Sequence, residues 1–276
     1  MRLIATFGLF AVLSAALWPQ TVFAGAWTVK KGGMYNKVYV NSFSTTENFN
    51  KNGDKEPMSN NGEFTDTNLV YYEEYGLKDN ITLFTSVPYK QIKYEDDSII
   101  NKTNGIGDID LGVRYRLLNK SFILSAQGLV KIPSAYDKNV AMPLGNGQTD
   151  VEFRLLFGKS LYPLPMYFGL EIGYRYRADA PSDEYKYLIE LGGDLTKSVY
   201  LRTKLDGTKS VNNGGDVVDF AGNPVATIEY DLAKLELTAG FRFSSFWFGE
   251  FTYTPNVYGK RTAGGSNLSL AVIYAF

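Results

Sequence analysis

The sequence predicts an all-β protein, a transmembrane antiparallel up-and-down β-barrel of about 12 strands. Three observations predict this fold class. Apolar and charged residues alternate through much of the chain, short and long polar connections alternate between these segments, and the last segment ends on an aromatic residue, Phe276. Such a chain can present one apolar face to lipid and one charged face to a lumen.

The clearest alternating segment is Ile106–Leu117. Successive side chains of a strand point to opposite faces, so one face is apolar and the other carries four charges. Helical spacing would mix the two classes by placing Asp108, Leu111 and Arg114 on one face. The apolar face comprises Gly107, Ile109, Leu111, Val113, Tyr115 and Leu117, and the charges are Asp108, Asp110, Arg114 and Arg116.

Residues 1–24 are predicted to be a secretory signal peptide, and residues 25–276 an outer-membrane barrel. Arg2 precedes the uncharged apolar run Leu3–Trp18, and the residues up to Ala24 suit cleavage before Gly25. The run is shorter than the ~20 apolar residues of a spanning helix, which argues against an uncleaved anchor. We therefore expect export to the outer membrane of a Gram-negative cell.

The mature chain begins with Gly25–Gly33, which we interpret as a periplasmic lead-in or a plug. Polar segments such as Thr46–Glu63, Asp96–Gly105 and Pro133–Gly147 are predicted loops. The alternation of short turns with longer loops is typical of barrels with short periplasmic turns. Strands are predicted at Met34–Thr45, Phe64–Tyr75, Ile81–Tyr94, Ile106–Leu117, Phe122–Ile132, Thr149–Phe157, Phe168–Arg177, Tyr185–Asp194, Val199–Asp206, Ala226–Phe243, Phe248–Val257 and Leu268–Phe276.

The strand count depends on one slip in the alternation. Apolar residues have even numbers over Ala226–Tyr230 and odd numbers from Leu235 onward. A turn between Asp231 and Lys234 would give 13 strands, whereas a bulge there would give 12. Single-chain bacterial barrels have even strand numbers, so we predict a bulge.

The charged faces are predicted to line the lumen. An Arg or Lys facing lipid costs about 2–4 kcal/mol at the bilayer midplane, and several such residues would cancel a total stability of about 5–15 kcal/mol. A ring of 12 strands is also too wide for an apolar interior to fill. The predicted lumen-lining residues are Asp108, Asp110, Arg114, Arg116, Glu152, Arg154, Glu171, Arg175, Arg177, Glu190, Arg202, Lys204, Asp206, Glu236 and Arg242.

Composition excludes several classes of function. The chain has neither cysteine nor histidine, so it has no thiol chemistry, no Ser-His-Asp or Cys-His catalysis and no histidine metal site. Without the signal peptide, 27 basic and 29 acidic residues remain, which gives no basis for a nucleic-acid partner. We predict no catalytic residues, no cofactor and no metal site.

Two charge patterns leave alternatives open. Asp108 and Asp110 share a face and would form a metal or sugar-phosphate site, or pair with basic residues of adjacent strands. The inward basic residues would select anions in an open pore, or be neutralised by the inward acidic residues.

Four short motifs are similar to those of one protein family: Gly25-Ala26-Trp27-Thr28, the Gly-rich stretch Gly105–Gly112, the stretch Pro143–Asp150, and the ending Tyr274-Ala275-Phe276. They resemble a family of Gram-negative outer-membrane barrels named for a meta-pathway of phenol degradation. The resemblance implies a barrel and the uptake of hydrophobic or aromatic compounds.

The expected function is passage of small molecules through the outer membrane. The alternative is a non-transport barrel that acts through its surface loops in adhesion or surface assembly. The expected partners are outer-membrane lipid, a small-molecule solute and the barrel-assembly machinery, which would recognise Phe276. The sequence leaves open the solute, whether the lumen is open or plugged, the oligomeric state, and a strand number of 12 or 14.

Overall fold

The computed structural model describes residues 25–178, 182–213 and 229–276. The signal peptide and the strand residues predicted at 226–228 lie outside the described residues. Within these ranges no helix is long and apolar enough to cross a membrane, and the one short 3-10 helix is Ser59–Asn61. The strands are β1 Met34–Thr45, β2 Glu47–Phe49, β3 Lys55–Pro57, β4 Glu63–Lys78, β5 Ile81–Glu95, β6 Ile100–Ile106, β7 Ile109–Asn119, β8 Ile123–Ile132, β9 Asp150–Ser160, β10 Met166–Arg177, β11 Glu184–Asp194, β12 Val199–Ser210, β13 Asp231–Arg242, β14 Trp247–Lys260, β15 Thr262–Ala263 and β16 Ser266–Ala275.

Twelve of these strands close into one antiparallel barrel, which confirms the predicted fold class. Their order around the ring is β1, β4, β5, β7 through β14 in sequence, and β16. The ring closes where β1 pairs with β16, from Tyr35 opposite Ala275 to Ser44 opposite Ser266. Closure leaves no strand edge unpaired in the hydrocarbon region, as a membrane barrel requires.

A bulge lies opposite the predicted position, but it is on β14 and not on β13. The register of β13 against β14 shifts between Ala233 and Lys234, and β13 continues as one strand to Arg242. The residue opposite changes from Tyr258 to Asn256, so the extra residue is Val257 on β14, whereas β13 pairs with β12 without interruption from Leu232 to Phe241. The predicted bulge in β13 is therefore wrong, but no turn divides β13 and the ring has the predicted 12 strands.

The segment Asp96–Gly105, predicted to be a loop, is largely a strand. The structure forms β6 over Ile100–Ile106, and β6 pairs with the outer half of β5 from Ile100 opposite Glu95 to Ile106 opposite Tyr89. Ile106, predicted to begin the next strand, therefore ends β6, and that strand, β7, begins at Ile109. β5 pairs with β7 only over Ile81–Ser86. The outer half of β5 extends past the end of β7, so its backbone groups need another partner, and β6 supplies it.

A second predicted loop, Thr46–Glu63, also contains strands. β2 pairs with β3 and with β15, which forms a small sheet of three strands beyond the barrel. The outer side of the barrel therefore carries ordered loop structure.

Outward side chains form an apolar band around the barrel. Val38, Leu111, Val113 and Leu170 are all exposed, as lipid-facing residues must be in the isolated chain. The short turns lie at the end where Met34 and Phe276 exchange backbone hydrogen bonds, and we call this end periplasmic. An aromatic cluster lies at one side of this end, with ring contacts that join Phe246, Trp247, Tyr274 and Phe276.

Candidate functional site in the barrel lumen

The barrel encloses a cavity of about 680 Å³. That volume is within the range of small-molecule sites, about 300–1,000 Å³. Neutral polar groups from the outer parts of four strands cover one stretch of wall: Asn41, Asn68, Thr252, Thr254, Asn256, Asn267 and Ser269. Aromatic rings come from Tyr35, Tyr39, Phe43, Tyr72 and Phe84. The basic and acidic residues are Lys37, Arg114, Arg154, Arg202, Lys204, Lys234, Glu74, Asp110, Glu171, Glu190 and Glu236.

The segment Gly25–Gly33, which we call the plug segment, enters the barrel at its periplasmic end. Gly25 lies on the cavity floor. The hydroxyl of Ser125 donates to the Ala26 carbonyl at 2.6 Å, and Arg114 Nη1 donates to the Trp27 carbonyl at 2.9 Å. Of the two interpretations from the sequence, lead-in or plug, the position of the segment inside the barrel favours the plug.

Trp27 anchors the plug segment in the wall. Its ring packs against a small buried cluster of Ala26, Ile123 and Leu156 and meets the ring of Tyr167 edge-on at 6.0 Å. It also lies over Gly158, where an added Cβ would be 2.2 Å from Trp27 Cζ3. The pocket for the indole therefore exists because residue 158 has no side chain.

Glu250 on β14 is the centre of one ion-pair network. Its carboxylate is 2.6 Å from Lys37 Nζ and 3.0 Å from Arg202 Nη1, and it accepts a hydrogen bond from the Tyr200 hydroxyl at 2.8 Å. Arg202 also approaches Glu236 at 3.4 Å. Charges of both signs are thus paired across strands that lie far apart in the sequence.

A second network runs along β9 and β10 toward the plug segment. Glu152 bridges two arginines, with Oε1 at 2.5 Å from Arg154 Nε and Oε2 at 2.7 Å from Arg175 Nη2. Arg154 Nη1 in turn contacts Glu171 Oε2 at 2.9 Å. The network reaches the cavity floor at Glu171.

Asp108 belongs to a third group at the outer end. Lys131 Nζ lies 3.0 Å from Asp108 Oδ2 and 2.8 Å from Asp150 Oδ2, and the Tyr136 hydroxyl donates to Asp108 Oδ1 at 2.5 Å. Burial and the Asp108 carboxylate raise the pKa of Tyr136 above its ordinary value, so its hydroxyl keeps the proton that it donates. Of the two readings of Asp108, the geometry favours pairing. In the part of the chain that the structure describes, no cluster of acidic residues could hold a metal ion.

The predicted lumen-lining residues differ in their surroundings. Asp110 borders the cavity but forms no ion pair with a described residue, and Arg116 neither borders the cavity nor has such a pair. Arg242 lies at the periplasmic rim, where its Nη2 is 2.6 Å from Asp194 Oδ1. Ion pairs among the described residues involve Asp108, Arg114, Glu152, Arg154, Glu171, Arg175, Arg177, Glu190, Arg202, Lys204, Asp206, Glu236 and Arg242.

Several residues of the networks are absent from the predicted set. Glu74 points inward to Arg114 while its neighbour Glu73 lies on the outer face, where it accepts a hydrogen bond from Tyr71. Because Glu73 and Glu74 are adjacent, the sequence did not show which of them faces the lumen. The exposed apolar residues Leu69, Tyr71 and Tyr75 mark the outer face of β4 and were the signal that could have assigned it. Other residues missed are Lys37, Lys131, Asp150, Glu184, Lys186, Lys234 and Glu250.

The fold is that of an outer-membrane β-barrel, and the N-terminal segment of the described chain is bound inside its lumen. No protein-family profile and no curated protein sequence matches the chain. Membership of the meta-pathway family therefore stays a prediction.

Solved structures do match. The crystal structure of the COG4313 outer membrane channel from Pseudomonas putida F1 is 18% identical, with a TM-score of 0.76 over 91% of this chain and 98% of that one. The NanC porin is 9% identical, with a TM-score of 0.54 over 86% and 98% of the two chains. The translocator domain of the autotransporter NalP from Neisseria meningitidis is 12% identical, with a TM-score of 0.53 over 91% of each chain. At these identities the likeness concerns the fold, and the fold is that of outer-membrane barrels.

Proposed function

We propose that the protein is a transport barrel that admits small molecules across the outer membrane when the plug segment moves. The observation that carries this proposal is the cavity of about 680 Å³ above a floor formed by Gly25. The plug segment is held there by hydrogen bonds and one indole ring, all of which can be released without breaking a covalent bond.

For the solute we propose hydrophobic or aromatic compounds. The cavity presents the rings of Tyr39, Phe43, Tyr72 and Phe84, against which an aromatic solute can stack. The amides and hydroxyls of the neutral wall would orient a polar substituent of that solute. The family resemblance supports the same class of compound.

The test compares the full mature chain with a variant that lacks Gly25–Lys31. In planar bilayers we expect brief, infrequent conductance steps from the full chain and frequent steps from the truncated one, because the cavity floor is gone. Uptake of phenol and benzoate into liposomes should rise in the same order. If the folded truncated barrel neither conducts nor transports, the transport proposal is wrong.

That negative outcome would favour action through the surface loops. The sheet of β2, β3 and β15 gives this alternative its structural support, because it holds the outer loops in a defined arrangement. Adhesion of cells that display the barrel, compared with a deletion strain, would then be the informative measurement.

A further inference from the structure

The backbone of Gly25 lies against the carboxylate of Glu171. A Cβ added at residue 25 would be 2.0 Å from Glu171 Oε1. Because the N and Cβ atoms of one residue are about 2.5 Å apart, the Gly25 nitrogen lies within about 4.5 Å of that oxygen. A small rotation of the glutamate side chain would bring the two atoms into contact.

Glu171 has one oxygen engaged and one directed at Gly25. Arg154 Nη1 contacts Oε2 at 2.9 Å, which leaves Oε1 facing the plug segment. The residue is 9% exposed and borders the cavity, so its second oxygen faces both the plug segment and the cavity. A cation at the position of the Gly25 nitrogen would supply Glu171 Oε1 with a counter-charge and a hydrogen-bond donor.

Signal-peptide removal would create such a cation. Hydrolysis of the Ala24–Gly25 peptide bond consumes one water, leaves a carboxylate on Ala24 and gives Gly25 an α-ammonium group. This group has three N–H donors in place of one, and it is protonated below a pKa of about 7.7–8.0. Before cleavage the same nitrogen is a neutral amide.

We propose that Glu171 is an ammonium-binding site in the lumen, and that its ligand is the α-ammonium group of Gly25 in the processed chain. Cleavage then creates the positive charge that binds Glu171 and holds the plug segment in the lumen. The proposal rests on the predicted cleavage site and adds to the proposed function the means by which the closed state is held.

The atoms around residue 25 also explain why this residue is a glycine. Any side chain at residue 25 would begin on top of Glu171 Oε1 and within 3.2 Å of Leu156 Cδ2. A residue with a Cβ would push the nitrogen away from the carboxylate or displace the glutamate. The site therefore accepts a terminal glycine and disfavours other terminal residues.

The first test locates the amine. The barrel is refolded from a chain that begins at Gly25, and carbodiimide is added to join amines to adjacent carboxylates. We expect mass spectrometry to find an amide between the Gly25 nitrogen and Glu171. The link should be absent in Glu171→Gln and in a chain extended by Met-Ala before Gly25, and present in the control Glu73→Gln, which removes a carboxylate from the outer face.

The second test measures closure. Loss of one charge-assisted hydrogen bond should raise the open fraction in bilayer recordings by about tenfold or more, both in Glu171→Gln and in the extended chain, but not in Glu73→Gln. The proposal is overturned if the link is absent from the wild-type barrel, or if secreted protein begins at a residue other than Gly25. Silence of every variant in bilayers would refute the transport proposal, while the cross-link would still report on the ammonium site.

Discussion

Glu250 shows how a single residue can hold several strands of the lumen together. Its carboxylate is 4% exposed and meets Lys37 from β1 and both Tyr200 and Arg202 from β12. A buried carboxylate with three donors is well satisfied, but each donor depends on it in return. Removal of the carboxylate would leave Lys37 and Arg202 without this counter-charge.

We therefore expect Glu250→Ala to lower the free energy of unfolding by about 3–5 kcal/mol, the usual loss when one partner of a buried ion pair is removed. Urea unfolding in detergent micelles, followed by tryptophan fluorescence, would measure the change. The matched control is Glu47→Ala, which breaks the exposed pair with Lys55 and should cost about 0–1 kcal/mol. Equal losses in the two variants would contradict a stabilising role for the network.

The plug segment is the element on which the proposed function depends. It contains no helix or strand and has no assigned secondary structure over Trp27–Lys30, so its conformation comes from the barrel wall. Thr82, Arg114 and Ser125 bind its backbone, and the wall forms a pocket for Trp27. An element held in this way can leave and return as a unit while the barrel strands keep their pairing.

Filling the pocket of Trp27 should dislodge the plug segment. In Gly158→Ala the new Cβ would be 2.2 Å from Trp27 Cζ3, so the indole must move toward water. In the background Trp247→Phe, Trp27 is the single tryptophan of the mature chain. We expect its emission to shift to the red and its quenching by acrylamide to increase.

Gly128→Ala is the matched control for that experiment. Its added Cβ would lie 3.8 Å from the nearest atom, Phe153 Cε1, which is an ordinary contact. Trp27 fluorescence should then match that of the parent. If Gly158→Ala leaves the emission unchanged as well, Trp27 does not occupy this pocket in solution.

At the scale of the whole molecule, the barrel reverses the polarity of a soluble protein. Apolar side chains such as Leu111 and Val113 face outward, and the charges are gathered inside, where opposite signs pair across neighbouring strands. The acidic and basic residues that border the cavity are similar in number. Their fields largely cancel along the lumen, so neither sign of ion is strongly favoured.

The truncated barrel should therefore select weakly between ions. Under a KCl gradient we expect a reversal potential near zero. Lys234 borders the cavity and pairs with Asp206, so Lys234→Glu should shift the reversal potential toward cation selectivity. The same charge change in Lys55→Glu, on a loop strand outside the barrel ring, should leave it unchanged. A large reversal potential in the parent would mean that the ion pairs do not neutralise the lumen.

The sequence by itself determined the properties that depend on neighbouring residues. Alternation with a period of two identified most barrel strands and their outward faces, but it did not identify the phase of β4, and the slip near Lys234 is not a bulge of β13. The correct inferences succeed because the direction of a strand side chain is set by the residue's position along its own strand. Alternation does not define where a strand begins and ends, and β6 is an example. Ile100–Ile106 has the polar composition of a loop, but it forms a strand because the backbone groups of the outer half of β5 require hydrogen-bond partners.

The pairing of the charges and the position of the plug segment in the lumen became evident only in three dimensions. Lys37 and Glu250 are 213 residues apart in the sequence, and Gly25 meets Glu171 through the path of a segment with no periodic pattern. Such pairings depend on ring closure and on the room left by residues such as Gly158, and no local pattern encodes either. The physical reason is that alternation fixes the face of a side chain, whereas its partner is fixed by the position of strands that are remote in the chain.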